Sequence, residues 1–134
     1  MKILVLDDDV TRINQFDTHF RKLGHEVHFA KSYREFVDKI NQHSPFDFVT
    51  LDHDLGDFNP AHNPASYDPL QPREFTGQHA AALLRDLPPH LRPKSISIHS
   101  NNPAGSFAMQ SILQQGFISA PIKPFTPGRL PVPN

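Results

Sequence analysis

The sequence predicts an α/β fold in which helices cover both faces of a parallel sheet, the arrangement called doubly wound. Short continuous apolar runs alternate along the chain with longer segments in which apolar residues recur at helical spacing. With 134 residues, the chain is long enough for one such domain. We expect residues 1–125 to form this domain and residues 126–134 to form a C-terminal tail.

The first half of the chain predicts three strands and two helices. Apolar residues recur at helical spacing from position 13 to 23, where Gly24 is suited to end the helix, and again from position 36 to 40. The pattern SYRE, which begins at Ser32, is a capping box for the second helix. A continuous apolar run predicts a buried strand over residues 3–6. A weaker second strand is predicted over residues 27–30, and a third over residues 46–51.

The second half begins with a segment of different character. Residues 57–76 contain several prolines and no periodicity, so we predict a long inserted loop that forms a lid beside the site. An alanine- and leucine-rich helix follows, and a further helix is expected between Asn102 and Gly116. Two more strands are predicted over residues 96–98 and 117–122, which gives five strands in all. The proline-rich tail is too short for another helix.

The composition excludes several classes of protein. A net charge of -1 and a pI near 6.7 give no broad basic surface for nucleic acid. There are no cysteines, which excludes disulfides and thiolate metal sites. The apolar run at the N-terminus is too short for a signal peptide or a membrane span. We therefore expect a cytoplasmic protein without a membrane partner.

Polar residues follow the predicted strands at the point where each strand ends. Because the carboxyl ends of parallel strands meet at one edge of the sheet, we expect these side chains to converge there. They are Asp7 and Asp8 after the first strand, Asp52, His53 and Asp54 after the third, His99 and Ser100 after the fourth, and Lys123 after the fifth.

These residue types predict a metal site that also binds phosphate. Clustered carboxylates repel one another unless a cation relieves them, and oxygen ligands suit Mg²⁺ or Mn²⁺. Asp8 and Asp52 are the first candidates as ligands, with Asp7 nearby. Lys123 supplies a positive charge suited to a phosphoryl oxygen. The alternative is that strand-end acids simply cap the following helices, which Asp9 fits well.

The residues in these positions resemble the receiver domain of two-component response regulators. The acidic pair of that family matches Asp7 and Asp8, its phosphoacceptor matches Asp52, and its Lys-Pro pair matches Lys123 and Pro124. The resemblance extends over residues 1–125. It implies a five-stranded sheet in the order 2-1-3-4-5, which the alternating pattern also favours.

The same resemblance implies details of the site. In the family, the residue two positions after the phosphoacceptor gives a backbone carbonyl to Mg²⁺, and here that residue is Asp54. The Lys123–Pro124 bond is expected to be cis. The switch Ser or Thr of the family falls at His99 or Ser100, and the sequence leaves both open. The inserted loop and the lack of a last helix depart from the family pattern.

The segments LDHDLG and HSNNPAG resemble a divergent group, the cyclic-phosphate-processing receiver domains. This resemblance implies a metal-dependent phosphodiesterase that hydrolyses a cyclic phosphate on a nucleotide or an RNA end. Asp52 and the metal would form the catalytic centre with Lys123, and His53 and His99 would transfer protons. The expected substrate contacts are Lys123, Ser100, Asn101 and Arg12, although Arg12 fits a solvated arginine equally well.

Two other functions fit the same residues. The chain is alternatively a stand-alone receiver phosphorylated on Asp52, or a non-catalytic nucleotide-binding protein. The expected partner is a small phosphate-containing molecule. Without a last helix, an apolar face beside the fifth strand must be covered by the tail or by a second copy in a homodimer.

Overall fold

Strands and helices alternate along residues 1–55 and 75–126, the part of the chain that this computed structural model describes. Most of the predicted lid and nearly all of the predicted tail lie outside these ranges. A short 3₁₀ turn, Pro89–Leu91, precedes the last strand. The elements are β1 (Lys2–Leu6), α1 (Val10–Lys22), β2 (Glu26–Ala30), α2 (Tyr33–His43), β3 (Phe48–Leu51), α3 (Gly77–Asp86), β4 (Ser95–Ile98) and α4 (Pro103–Gln114).

The four strands form a parallel sheet in the order β2-β1-β3-β4. Leu51 at the end of β3 is in register with Leu6 of β1 and with Ile98 of β4. The backbone N–H of Asp52 donates to the Leu6 carbonyl at 3.0 Å, and that of His99 donates to the Leu51 carbonyl at 2.9 Å. The residues that follow these strands therefore leave the sheet side by side.

The predicted fifth strand over residues 117–122 does not form as a strand among the described residues. Ile122 alone makes an isolated parallel bridge to Ile98. The first residues of this segment are used to end α4, and Pro121 has no N–H to donate to a ladder. The chain nevertheless runs beside β4, because the Lys123 N–H donates to the Ile98 carbonyl at 2.7 Å.

The peptide bonds also differ from the pattern that the resemblance implied. The cis bond of the described residues is Ser44–Pro45, and the Lys123–Pro124 bond is trans. That feature of receiver domains is therefore not carried over to this chain.

Apolar clusters lie on both faces of the sheet, which confirms the doubly wound arrangement. The larger cluster joins β1, β3 and β4 to α2, α3 and α4 through buried residues such as Phe36, Leu84 and Met109. The smaller cluster packs Phe16 and Phe20 of α1 against the opposite face. None of the helices in the described ranges combines the length and apolar character needed to cross a membrane.

Phe125 covers part of the smaller cluster. Its ring centroid lies 5.5 Å from that of Phe16 in an edge-to-face contact. Sequence reasoning expected the tail or a second copy of the chain to cover the apolar face near the predicted fifth strand. Phe125 shows that the segment after β4 contributes to covering the α1 side.

Two helices end in the same hydrogen-bonding pattern but with different residues in the left-handed conformation. In α1 this residue is Gly24, with φ 83°, as the sequence predicted. In α4 it is Phe117, with φ 60°, rather than the predicted Gly116. The N–H of Ile118 donates to the Leu113 carbonyl at 3.0 Å, which closes this Schellman turn. Phe117 is 98% exposed, so no burial offsets its backbone strain.

We expect Phe117→Gly to raise the free energy of unfolding by about 0.5–1 kcal/mol, because glycine adopts positive φ without the steric cost of a Cβ. Urea denaturation followed by circular dichroism measures the change. Phe107→Gly is the matched control, since Phe107 is exposed within α4 and its replacement is expected to cost about 1 kcal/mol. A loss of stability in both variants would contradict the argument.

Candidate metal and phosphate site

Three carboxylates converge where β1 and β3 end. Asp7, Asp8 and Asp52 each offer one oxygen, and these oxygens all lie within 4.8 Å of one another. Asp7 and Asp52 are buried, whereas Asp8 is exposed. An all-oxygen set of carboxylates is the donor set that Mg²⁺ and other hard cations take in proteins. The donors present therefore fit the metal that the sequence predicts.

Arg12 lies against this cluster and partly neutralises it. Its Nε donates to Asp7 Oδ2 at 2.8 Å, and its Nη2 donates to Asp7 Oδ1 at 2.9 Å. The same Nη2 reaches Asp52 Oδ2 at 3.3 Å. The first turn of α1 holds Arg12 in place because the Asp9 side chain accepts the Arg12 backbone N–H at 2.9 Å. Arg12 is thus part of the site rather than a solvated arginine.

The two buried carboxylates have opposite electrostatic environments. Burial alone would raise the pKa of Asp7. Hydrogen bonds from His99 and Arg12 outweigh that effect and lower the pKa to about 2. Burial and the neighbouring charge of Asp7 raise the pKa of Asp52 to about 6. Asp7 is therefore ionised at all ordinary pH values, whereas Asp52 gains or loses its proton near pH 6 in the metal-free protein.

His99 connects Asp7 to a buried chain of hydroxyl groups. Its Nε2 lies 2.9 Å from Asp7 Oδ2, and since an ionised carboxylate can only accept, Nε2 must carry the proton. The other nitrogen, Nδ1, then accepts from Thr50 Oγ1 at 2.8 Å, and Thr50 accepts from Ser97 Oγ at 3.0 Å. All four residues are buried. Because both ring nitrogens are engaged, this geometry makes His99 a positioning group for Asp7.

His53 is held beside the carboxylate cluster through its backbone N–H, both ring nitrogens and packing of its ring. Its backbone N–H donates to Asp52 Oδ1 at 2.9 Å. Its Nδ1 donates to Asp54 Oδ1 at 2.9 Å, so that Nε2 accepts from the Gln78 amide at 3.0 Å. The ring is packed against the start of α4, where a Cβ at Gly105 would lie 2.4 Å from it. His53 therefore orients Asp52 through its backbone and Asp54 through its ring.

The start of α3 is equally close to the site. A Cβ at Gly77 would lie 2.2 Å from the Asp52 carbonyl oxygen, so only glycine fits there without a backbone shift. Thr76 caps α3 in a reciprocal capping box with His79. The glycines at these two helix starts let α3 and α4 approach the loop that carries the acidic residues.

A polar pocket of about 220 Å³ opens above the cluster. This volume is below the range of roughly 300–1,000 Å³ that is typical of sites for drug-sized ligands. As bounded by the described residues, this volume fits a phosphate group and the atoms attached to it. The pocket is lined by Asp8, Arg12, Asp52, Asp54, Leu55, His99 and Asn101.

Some predicted substrate contacts do not line this pocket. The Ser100 hydroxyl accepts the Asn102 backbone N–H at 3.1 Å, and Ser100 is buried. Of the two candidates for the switch position, His99 is therefore the one that faces the pocket. Lys123 lies beside the end of β4 but is not among the lining residues. Asn102 caps α4 by accepting the Gly105 N–H at 2.9 Å.

Sequence reasoning missed three residues that support the site. Thr50 and Ser97 are in register on β3 and β4, and they fix His99 from below. Their signal in the sequence was a hydroxyl residue inside each of two apolar strands, close to the strand end. Gln78, which holds His53, has no comparable signal because an amide at the start of a helix is common on protein surfaces.

The family of this chain follows from a comparison with known families. The family described as the cyclic-phosphate processing receiver domain matches residues 2–115, most of the chain. The chain belongs to this family. No curated protein matches it.

Solved structures of receiver domains share the fold of this family member. A CheY-like receiver domain from Methanospirillum hungatei JF-1 is 18% identical, with a TM-score of 0.64 over 94% of this chain and 83% of that one. The BeF3-activated receiver domain of Klebsiella pneumoniae RstA is 15% identical, with a TM-score of 0.62 over 96% and 90% of the two chains. At these identities the likeness shows the fold alone.

A longer relative carries a modified aspartate. A response regulator from Burkholderia pseudomallei, solved with a phosphorylated aspartic acid, a calcium ion and citrate, is 20% identical with a TM-score of 0.63. The match covers 92% of this chain and 60% of that one, so the chain spans about 60% of the length of this relative.

Thr50→Val is expected to lower the free energy of unfolding by about 1–3 kcal/mol, because it leaves His99 Nδ1 and Ser97 Oγ buried without their partner. Thr50→Ser keeps the hydroxyl and is the matched control. The ¹⁵N chemical shifts of the His99 ring report its tautomer. Because Asp7 still accepts from Nε2, we expect the Nε2–H tautomer in all three proteins, with a changed Nδ1 shift in the Val variant alone, where the hydrogen bond from Thr50 is lost. An Nδ1 shift that is the same in the Val variant and in the wild type would contradict the proposed hydrogen-bond chain.

Asp52→Asn is expected to stabilise the metal-free protein above neutral pH. The pKa of Asp52 is about 6 in the folded state against 3.8 for an ordinary aspartate. Folding therefore favours its protonated form, and its contribution to stability is lost as the pH rises from about 4 to about 6. The difference between the two pKa values corresponds to roughly 3 kcal/mol. We expect a gain of that order at pH 7.5 and almost none near pH 4, measured by urea denaturation in chelator.

Asp7→Asn is the control for this experiment. The pKa of Asp7 is lowered to about 2, so its carboxylate stabilises the fold above the ordinary aspartate pKa, and the same substitution is expected to destabilise the protein at pH 7.5. Equal changes in the free energy of unfolding for the two variants at pH 7.5 would contradict the argument that Asp7 and Asp52 lie in opposite electrostatic environments.

Proposed function

We propose that this chain is a metal-dependent hydrolase of small cyclic phosphates. The observation that carries this proposal is the convergence of three carboxylates and Arg12 in one small polar pocket. Such an arrangement can hold a cation and a phosphate at the same time. The family to which the chain belongs is described by the processing of cyclic phosphates, which supports the same function.

The metal would be held by Asp7, Asp8 and Asp52, with the backbone carbonyl of Asp54 expected from the family pattern. Mg²⁺ and Mn²⁺ both suit these ligands. A divalent cation in this place would polarise a phosphoryl oxygen and help to make water nucleophilic. Two contacts support this assignment, since His99 orients Asp7 and the backbone N–H of His53 orients Asp52.

Substrate contacts are assigned to groups that line the pocket. Arg12 supplies positive charge for phosphate oxygens, and Asn101 supplies an amide for the phosphate or the attached sugar. Lys123 remains a further candidate from its place beside β4. The limited volume favours recognition of the cyclic phosphate itself over recognition of a base, which is compatible with both a nucleotide and an RNA end.

We assign the proton transfer to Asp54 because its carboxylate lines the pocket. Hydrogen bonds from the His53 ring at 2.9 Å and from the Asn102 amide at 3.3 Å lower the pKa of Asp54 and keep it ionised as an acceptor. In the proposed reaction the oxygen of water bonds to phosphorus and gives its proton to Asp54. One ring P–O bond breaks, and Asp54 returns the proton to the released oxygen, which leaves a phosphomonoester. His53 then acts as a positioning residue, and the direct proton transfer predicted for His53 and His99 is not needed.

Phosphorylation of Asp52 is the second candidate function. Asp52 directly follows β3 and lines the pocket, and a structural relative carries a phosphorylated aspartic acid. In that reaction the Asp52 carboxylate itself would attack the phosphorus of a phosphodonor. The two functions share the pocket and differ in the attacking group.

We expect the purified protein with Mg²⁺ or Mn²⁺ to open the ring of at least one member of a panel of 2′,3′- and 3′,5′-cyclic nucleotides and of RNA ending in a 2′,3′-cyclic phosphate. Phosphate-ester products are measured by chromatography. Asp8→Asn and Asp54→Asn are expected to reduce turnover by about 100-fold or more, since each removes a charged group from the reacting centre. Asp86→Asn is the control, because Asp86 is exposed at the end of α3.

A second assay separates the two candidates. The protein is incubated with Mg²⁺ and acetyl phosphate, and the mass of the peptide containing Asp52 is measured. A phosphoryl group on Asp52, with no turnover across the whole cyclic panel, would remove the hydrolase proposal in favour of the receiver function. Turnover that survives in Asp8→Asn and Asp54→Asn would show that the activity does not come from this pocket.

A further inference from the structure

Arg12 contacts two of the three carboxylates that could hold a metal ion. Its Nη2 lies between Asp7 Oδ1 at 2.9 Å and Asp52 Oδ2 at 3.3 Å. Both carboxylates belong to the cluster of potential metal ligands. A guanidinium in this position and a divalent cation among these oxygens would repel each other strongly in a partly buried site.

The two contacts of Arg12 are unequal in strength. Its contact with Asp7 is bidentate, through Nε and Nη2, and Asp7 is fully buried. Its contact with Asp52 is a single, longer hydrogen bond. The Asp52 contact is therefore the one that a competing cation breaks first. Arg12 also lines the pocket and its side chain is 26% exposed, so the guanidinium has open space on the pocket side.

The backbone of Arg12 is fixed while its side chain crosses the site. Asp9 caps α1 by accepting the Arg12 N–H, and Asp9 Oδ2 lies 4.0 Å from Arg12 Nη1. A guanidinium that leaves Asp52 thus remains close to Asp7 and Asp9. It cannot diffuse away, and it stays within reach of a ligand in the pocket.

We propose that Arg12 is a tethered counter-ion which a divalent cation displaces from Asp52, and whose guanidinium then binds the phosphate of the ligand. This inference rests on the metal site of the proposed function but not on hydrolysis. Its consequence is that metal and phosphate bind cooperatively. The metal alone is held weakly because it must displace Arg12, and phosphate then gives the displaced charge a new partner.

The test begins with Mg²⁺ alone, titrated by calorimetry at pH 8 into the wild type and into Arg12→Gln. We expect Arg12→Gln to bind Mg²⁺ about tenfold more tightly, because a neutral amide no longer repels the ion. Arg12→Lys keeps the charge without the bidentate fork and is expected to lie between the two. Arg21→Gln, which removes an exposed arginine from the same helix, is expected to leave the affinity unchanged. Unchanged or weaker Mg²⁺ binding by Arg12→Gln would overturn the proposal.

Inorganic phosphate provides the second measurement. In the wild type we expect Mg²⁺ to tighten phosphate binding. In Arg12→Gln we expect a smaller coupling although Mg²⁺ binds more tightly, because the direct attraction between Mg²⁺ and phosphate remains and the contribution of the released guanidinium is lost. Equal coupling in both proteins would also overturn the proposal. Arg12→Lys gives the same comparison of Mg²⁺ and phosphate binding if Arg12→Gln does not fold, which circular dichroism shows.

These outcomes are distinguishable from failure of the proposed function. A protein that shows the Arg12 effects but opens no cyclic phosphate retains the counter-ion mechanism and loses the hydrolase proposal. If neither the wild type nor the two Arg12 variants bind Mg²⁺, the counter-ion mechanism and the metal-dependent hydrolase proposal are both overturned.

Discussion

The structure of the site depends on the burial of two carboxylates at adjacent strand ends. Asp7 and Asp52 leave β1 and β3 in register, so the parallel sheet itself brings their charges together. Burial of like charges is costly unless each receives hydrogen bonds or a cation. Asp7 receives both, from His99 and Arg12, whereas Asp52 receives less and has a raised pKa. Much of the surrounding structure serves to hold these two groups.

The helices and strands around the site act as supports for that pair. The cap of α1 fixes Arg12, the hydroxyls within β3 and β4 fix His99, and the close approach of α3 and α4 encloses His53. The two histidines differ in what they hold. His99 holds a predicted metal ligand, and His53 holds Asp54, which faces the pocket. An imidazole beside a carboxylate cluster therefore need not be the group that transfers protons.

The sequence was most informative where one physical requirement dominates. Predominantly apolar segments predicted five strands, four of which form among the described residues. The strand ends also predicted several of the polar residues that line the pocket, because parallel strands share an edge. Gly24 was predictable since a left-handed helix end favours glycine, but Phe117 at the end of α4 was not, because hydrogen bonds to Leu113 and Gln114 overrode the preference. The predicted fifth strand did not form as a strand, because its first residues are used to end α4. The contact of Gln78 with His53 depends on how α3 packs beside the site, which a local sequence pattern does not predict.

Both candidate functions would use a cation beside Asp52. Burial and the charge of Asp7 raise the pKa of Asp52 to about 6, so ionising this carboxyl is costlier than ionising an ordinary aspartate, and a cation would offset that cost. A divalent ion would favour the ionised form and would also release Arg12 from it. From that state, attack by Asp52 gives a phosphorylated receiver, and attack by water gives hydrolysis. Asp54 lines the pocket and is held by His53, and it is the proposed proton acceptor, which only the second reaction needs. Its place therefore supports hydrolysis in addition to the convergence of the carboxylates and Arg12.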